Sequence, residues 1–133
     1  MSKARPTVEP TRLSAPFWAG VAERRLLLQY DPAGERYQFY PRPLSLFSDS
    51  GALEWKEASG QGKLIAYTLC HSPAPGFEDE VPYLLGVIQL DEGPRIFARV
   101  VNADAAAIKV GVRMRLVWDD SAPQRLYQFE PAR

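Results

Sequence analysis

The spacing of apolar and polar positions changes character several times along the chain. The first dozen residues are polar, carry Pro6 and Pro10 and show no hydrophobic period, so residues 1–13 are expected as a flexible arm. From Ser14 a helical period sets in. Ser14 suits an N-cap, Pro16 suits the first turn, and Phe17 with Val21 and Trp18 with Ala22 recur at i, i+4, which predicts a short amphipathic helix through Arg25. The run Leu26-Leu27-Leu28-Gln29-Tyr30 is too short for its period to separate a strand from a helix tail, and it completes an N-terminal segment over 14–30. Residues 31–52 are broken by Pro32, Gly34, Pro41, Pro43 and Gly51, and only Tyr37-Gln38-Phe39-Tyr40 has strand composition. So long a stretch with little structure of its own needs a metal or a partner to hold it.

From Leu53 to the C-terminus the pattern is all-β. Leu53–Ala58 and Gly62–His71 read as one long strand, bulged or bent at Ser59-Gly60, followed by strands at Tyr83–Asp91, Arg95–Val101, Arg113–Asp120 and Arg125–Glu130. The Asp91-Glu92-Gly93-Pro94 turn makes a hairpin of the second and third. Between the third and fourth, the alanine-rich stretch Asn102 to Ile108, with Asn102 as cap and Gly111 as stop, predicts a short helix. The fold class is therefore mainly β. The element order is that of a five-stranded OB-type barrel over 53–133, and a six-stranded meander or small sandwich fits the same pattern.

Composition narrows the functional classes. The 133 residues hold one Cys, which excludes an intrachain disulfide, and no apolar run approaches the ~18–20 residues of a membrane span. The N-terminus lacks the apolar stretch of a signal peptide, so a cytoplasmic protein is expected. Sixteen basic against sixteen acidic residues give no net charge, which argues against a dedicated nucleic-acid binder. The balance is uneven, because residues 1–46 carry seven basic and four acidic side chains and net +3, leaving −3 for residues 47–133. An anionic ligand is expected at the first third.

Few residue sets suggest chemistry. Cys70 and His71 are adjacent, but neighbouring side chains on a strand face opposite ways, so a buried structural thiol and a surface or loop-end imidazole are expected rather than a dyad. Glu78-Asp79-Glu80 is a dense acidic cluster whose expected state is a solvated loop rather than a cation site. Phe77, in the same Pro/Gly-rich loop, either covers the barrel end or meets a partner. Arg95, Phe97 and Arg99 share one side of a strand, the arrangement a single-stranded nucleic acid uses, though on one strand only. No phosphate loop, dinucleotide fingerprint or HExxH motif occurs, and no nucleophile, base and oxyanion donor assemble.

Taken together, Pro16-Phe17-Trp18-Ala19-Gly20, Leu26-Leu27-Leu28-Gln29, Tyr37-Gln38-Phe39-Tyr40-Pro41-Arg42, Leu53-Glu54-Trp55, Gly76-Phe77 and Pro82-Tyr83 resemble, in order, the acyl-CoA-associated family of the domain-of-unknown-function 35 type. In that family an N-terminal helical segment and a rubredoxin-like zinc ribbon precede an OB-fold. The resemblance places the family's two CxxC pairs on Asp31 and Gly34 and on Ser45 and Ser48, so all four zinc cysteines are missing. It thus implies a metal-free ribbon over 31–52, kept in shape by its prolines and by Tyr37, Phe39 and Tyr40. It also implies a non-catalytic accessory subunit in lipid metabolism that binds a thiolase-like enzyme or a hot-dog-fold hydratase and helps hold the CoA part of an acyl-CoA. No cofactor, nucleic acid or membrane is implied, and a homodimer is allowed for the isolated chain. On this reading Arg36, Tyr37, Phe39, Tyr40 and Arg42 contact CoA, and Phe17, Trp18 and Phe77 contact the partner. Two other readings are a single-stranded nucleic-acid binder and a stand-alone acyl-CoA enzyme.

Overall fold

A computed structural model describes residues 7–48, 51–121 and 124–132. Helix α1 (Ala15–Ala22) has Pro16 in its first turn and buries Phe17, Gly20 and Val21. It is shorter than its apolar period predicts. Glu23 and Arg24 already donate to the carbonyls of Gly20 and Val21, Arg24 takes a left-handed φ of 61°, and Arg25 N–H turns back to the Gly20 carbonyl at 2.8 Å. This is a Schellman-type reversal. Ser14 does not cap the helix with its side chain, because its Oγ is engaged by Thr11, whose backbone N–H donates to it at 2.9 Å.

The chain then enters a small antiparallel sheet of β1 (Leu27–Asp31), β2 (Arg36–Gln38) and β3 (Glu54–Glu57), in the order β2-β1-β3. Leu27 to Tyr30 is thus strand. The sheet corrects one sequence expectation: 54–57 is not the first half of a barrel strand. It pairs with β1, from Leu27 opposite Glu57 to Tyr30 opposite Glu54. The separation falls at Gly60, whose φ of 78° turns the chain and whose carbonyl accepts from Leu116 N–H. The bulge expected at Ser59-Gly60 lies instead between Leu64 and Ala66.

The remaining strands are β4 (Gln61–Cys70), β5 (Tyr83–Leu90), β6 (Arg95–Val100), β7 (Arg113–Asp119) and β8 (Leu126–Pro131), closed into a barrel in the order β4-β5-β6-β8-β7. All pairs are antiparallel except β6 with β8, which meet in parallel at Val100 and Phe129. This is the five-stranded OB-type barrel the strand order predicts. The alternation of β5, with Leu84, Ile88 and Leu90 inward, and of β6, with Ile96, Ala98 and Val100 inward, fills it. The stretch from Asn102 to Ile108 is a single turn, not a helix. Its alanines favour helix, but one turn fixes several residues for few hydrogen bonds, and only Ile108 is buried as an anchor. Asp104, not Asn102, caps it, with its carbonyl accepting from Ala107 and Ile108 and its side chain from Ala106.

Phe17, Val21, Leu26 and Leu28 belong to the same buried cluster as Leu64, Ile88, Met114 and Phe129, so helix, small sheet and barrel share one core. Among the described residues no helix is long and apolar enough to cross a membrane. The barrel closes at Gly62, which pairs with Leu90 on one side and Met114 on the other. A Cβ there would stand 2.3 Å from the Gln89 carbonyl oxygen. Gly62→Ala is therefore expected to destabilise the fold by about 2 kcal/mol, read as a lower urea midpoint, since the backbone of β5 must move to admit one methyl.

Candidate functional site

The segment between β1 and β3 is held by three polar side chains from paired strands. Gln29 and Gln38 face each other across β1 and β2, and Gln38 Nε2 donates to Gln29 Oε1 at 2.8 Å. Each amide also grips the following loop. Gln29 accepts from Arg42 N–H at 2.8 Å and donates to the Arg42 carbonyl at 2.9 Å, while Gln38 donates to the Leu44 carbonyl and accepts from Leu46 N–H. These buried amides satisfy backbone groups of a loop that has no strand partner.

Asp31, at the end of β1, is fully buried and forms the second hold. Its Oδ2 accepts from the hydroxyls of Ser45 and Ser48, both at 2.5 Å, and its Oδ1 accepts from Ala33 N–H at 3.0 Å. A Cβ on Gly34 would come within 2.7 Å of Oδ2. The four positions where the family resemblance expects zinc cysteines thus surround one oxygen atom of Asp31. The residues do not fit zinc, since glycine offers no ligand atom and the carboxylate is already committed to two hydroxyls. Among the described residues no cluster of three or more His, Cys, Asp or Glu is placed to hold a metal. The Ser45 hydroxyl, then that of Ser48, holds the Asp31 carboxyl below the ordinary carboxylate value, against the opposing effect of burial.

The five residues expected to contact CoA divide between two places. Arg36 lies over the Phe47 ring at 4.9 Å, and with Tyr37 it lines a hollow of about 560 Å³ that also presents Glu35, Asp91 and Glu92. Three carboxylates make that hollow unsuited to phosphates. Phe39 and Tyr40 instead pack on Phe17, with centroids 5.3 and 5.9 Å away, and Trp18 Nε1 donates to Tyr40 Oη at 3.0 Å. Arg42 follows in the loop, its side chain exposed and its backbone fixed by Gln29.

Of the expected partner contacts, Phe17 is corrected: it is fully buried in the core and offers no surface. Trp18 and Phe77 both line one apolar groove of about 350 Å³, with Leu85, Phe97, Leu126 and Tyr127. Burial pushes the Tyr127 hydroxyl up to about 12, with Tyr40 adding to the effect. Leu126 and Tyr127 went unselected in the sequence because nothing in a single strand shows that its outer face will meet α1. Phe97, 58% exposed, is the most open aromatic at the groove. Arg99 does not extend the Arg95-Phe97 face as a free cation. It pairs with Glu80 at 2.6 Å and stacks over Tyr83 at 4.9 Å.

The other candidates are structural. Cys70 is half-buried rather than buried, and its thiol donates to the Ser72 carbonyl, while His71 is exposed beyond the strand end. The acidic loop is not simply solvated: Glu78 accepts from Gly76 N–H, Glu80 holds Arg99, and only Asp79 is exposed.

The Asp31 clasp has a signed pH dependence. A folded-state carboxyl held below its unfolded value contributes stability that is complete above the unfolded value near 3.8 and is lost as pH falls through the folded value. Asp31→Asn is expected to melt at a lower temperature than wild type at pH 7, with the gap closing below pH 4 in thermal scans. A chelator is expected to leave the wild-type melting temperature unchanged, and stoichiometric zinc on elemental analysis would contradict the metal-free clasp.

The geometry has counterparts among known proteins. A family model described as the ChsH2 C-terminal OB-fold domain matches residues 55–119. The chain is 31% identical to a DUF35 domain-containing scaffold protein of Pyrococcus furiosus over 101 residues, 76% of this chain and 74% of that one. It is 29% identical to the 3-oxo-4,17-pregnadiene-20-carboxyl-CoA hydratase alpha subunit of Mycobacterium tuberculosis over 91% of its own length, but spans only 38% of that subunit. In three dimensions it superposes on a chain of the Ltp2-ChsH2(DUF35) aldolase with a TM-score of 0.85 and 28% identity, covering 97% of this chain and 100% of that one. Identity at this level over three quarters of both chains, with the OB-fold model matching the barrel, establishes that this chain belongs to the DUF35 family.

Proposed function

We propose that the chain is a non-catalytic accessory subunit in acyl-CoA metabolism, which assembles with a hydratase or a thiolase-like enzyme and helps bind the CoA part of its substrate. The observation that carries this reading is the end-to-end superposition on the DUF35 chain of an aldolase assembly. The kinship with a hydratase alpha subunit supports the same chemical setting. The placement of chemical groups agrees. Cys70 is bonded to the Ser72 carbonyl, and Glu78 and Glu80 are spent on holding their loop and Arg99. The CoA contact we favour is Tyr40 with Arg42, an aromatic ring and an exposed cation on one braced loop, suited to adenine and phosphate. Arg36 and Tyr37, beside three carboxylates, drop out of that role.

The experiment pairs the chain with hydratase and thiolase-like enzymes encoded near it. A stable complex by size exclusion, and a partner kcat/KM that rises at least tenfold when the chain is added, are the expected results. Turnover of an acyl-CoA by this chain alone would overturn the reading. Within the complex, Arg42→Ala is expected to raise KM for the CoA thioester about fivefold with little change in kcat, the mark of a contact made equally in ground and transition states. An unchanged KM removes Arg42 from the ligand site.

A further inference from the structure

The apolar groove between α1 and the barrel is not explained by packing alone, because α1, the loop before β5, β5, β6 and β8 all wall it and yet it stays open. Trp18 comes from α1, Phe77 from the loop before β5, Phe97 from β6 and Tyr127 from β8. Its volume of about 350 Å³ is at the small end for small-molecule sites, enough for one medium-length chain or a single ring system. Among the described residues its only charged lining residue is Arg99. Glu80 already neutralises that guanidinium through one Nη, which uses one of its five N–H groups, and the Arg99 side chain is still 22% exposed. A neutralised cation with a donor to spare suits an uncharged carbonyl oxygen better than a second carboxylate, which Glu80 would repel. The groove also adjoins the loop proposed above for CoA, since Trp18, which lines it, donates a hydrogen bond to Tyr40.

We propose that this groove binds the apolar acyl part of a thioester, with Arg99 donating to its carbonyl oxygen. The proposal rests on the accessory-subunit reading for the choice of thioester, but not for the binding itself. The chain then contributes to selecting the acyl group and does not merely hold the nucleotide end.

The test uses the full chain alone and S-octanoyl-N-acetylcysteamine, a thioester without the nucleotide, in a calorimetric titration. Wild type is expected to bind it more tightly than octanoate. Leu85→Trp, which fills the groove from a half-buried position on β5, is expected to bind at least tenfold more weakly, and Arg99→Met about fivefold more weakly. Leu46→Ala, an exposed site on the β2–β3 connection, is expected to match wild type. Should Leu85→Trp fail to fold by circular dichroism, Phe97→Ala, at an open position, takes its place with an expected loss of about threefold. No binding to wild type, or equal binding to the folded groove variants, overturns the proposal. A groove variant that abolishes partner assembly while thioester affinity is intact also overturns it and assigns the groove to protein docking. Thioester binding by a chain that assembles with no hydratase or thiolase-like enzyme supports the groove and removes the accessory reading, so the two failures are distinguishable.

Discussion

The N-terminal half is organised around one buried anion. The Asp31 carboxylate gathers two serine hydroxyls and a backbone N–H from a loop that lacks a sheet partner, and the Gln29–Gln38 pair holds the loop's middle. What depends on this reaches well beyond the loop. With Arg42 and Leu46 pinned, Tyr40 is set against Phe17, and its hydroxyl receives the Trp18 indole. Trp18 in turn forms a wall of the groove over the barrel. The clasp, the aromatic packing and the groove are successive links from one carboxylate to the surface.

A carboxylate can stand where a metal would because both solve the same geometric problem. Each draws separate chain positions to one point, a metal through thiolate bonds and this carboxylate through hydrogen bonds donated by Ala33, Ser45 and Ser48. The anion must offset its loss of water, and charge-assisted bonds from hydroxyls and N–H groups do so while leaving no ligand to oxidise. The exchange requires coordinated residues. Position 34 must lack a side chain, since a Cβ would crowd Oδ2, and positions 45 and 48 must be short donors able to reach it. Asp, Gly, Ser and Ser satisfy these needs together and hold the loop without a metal.

The barrel was legible because its signal is periodic. Leu84, Ile88 and Leu90, and then Ile96, Ala98 and Val100, announce inward faces by alternation, and a turn at Gly93 joins them. Where a strand pairs is not a local property, and Glu54–Glu57 shows this: its composition says strand, but only the left-handed Gly60 and the register with Leu27–Tyr30 put it in the small sheet. The alanines of 103, 105, 106 and 107 misled for the opposite reason, since propensity acts on a helix only after nucleation. Spacing from fixed anchors singled out positions 31, 34, 45 and 48 but not the bonds between them, because a hydrogen bond across 14 or 17 residues has no one-dimensional mark. The groove was half visible, in Trp18 and Phe77. Its other half comes from outward residues of β5, β6 and β8 that become neighbours only when the barrel closes.

The charge asymmetry along the chain reads differently once folded. Arg24 reaches Asp120 and Arg25 reaches Glu57, so two cations of the basic third neutralise acids of the acidic remainder. Arg99, Arg113 and Arg115 pair within the barrel with Glu80, Asp91 and Glu130. The net +3 of the first third is therefore not all free surface charge, since Arg24 ties the end of α1 to the barrel and Arg25 ties it to the small sheet. Among the described residues Arg36 and Arg42 form no ion pair. Arg36 faces Glu35, Asp91 and Glu92, which cancel its pull on a phosphate, and Arg42 stands near Tyr40 on a loop held rigid from behind. Holding an anionic ligand requires a cation that is both uncompensated and fixed, because a mobile side chain loses in entropy what it gains in attraction. Arg42 is uncompensated among the described residues, and its backbone, though not its exposed side chain, is braced by Gln29, two residues along β1 from the Asp31 carboxylate.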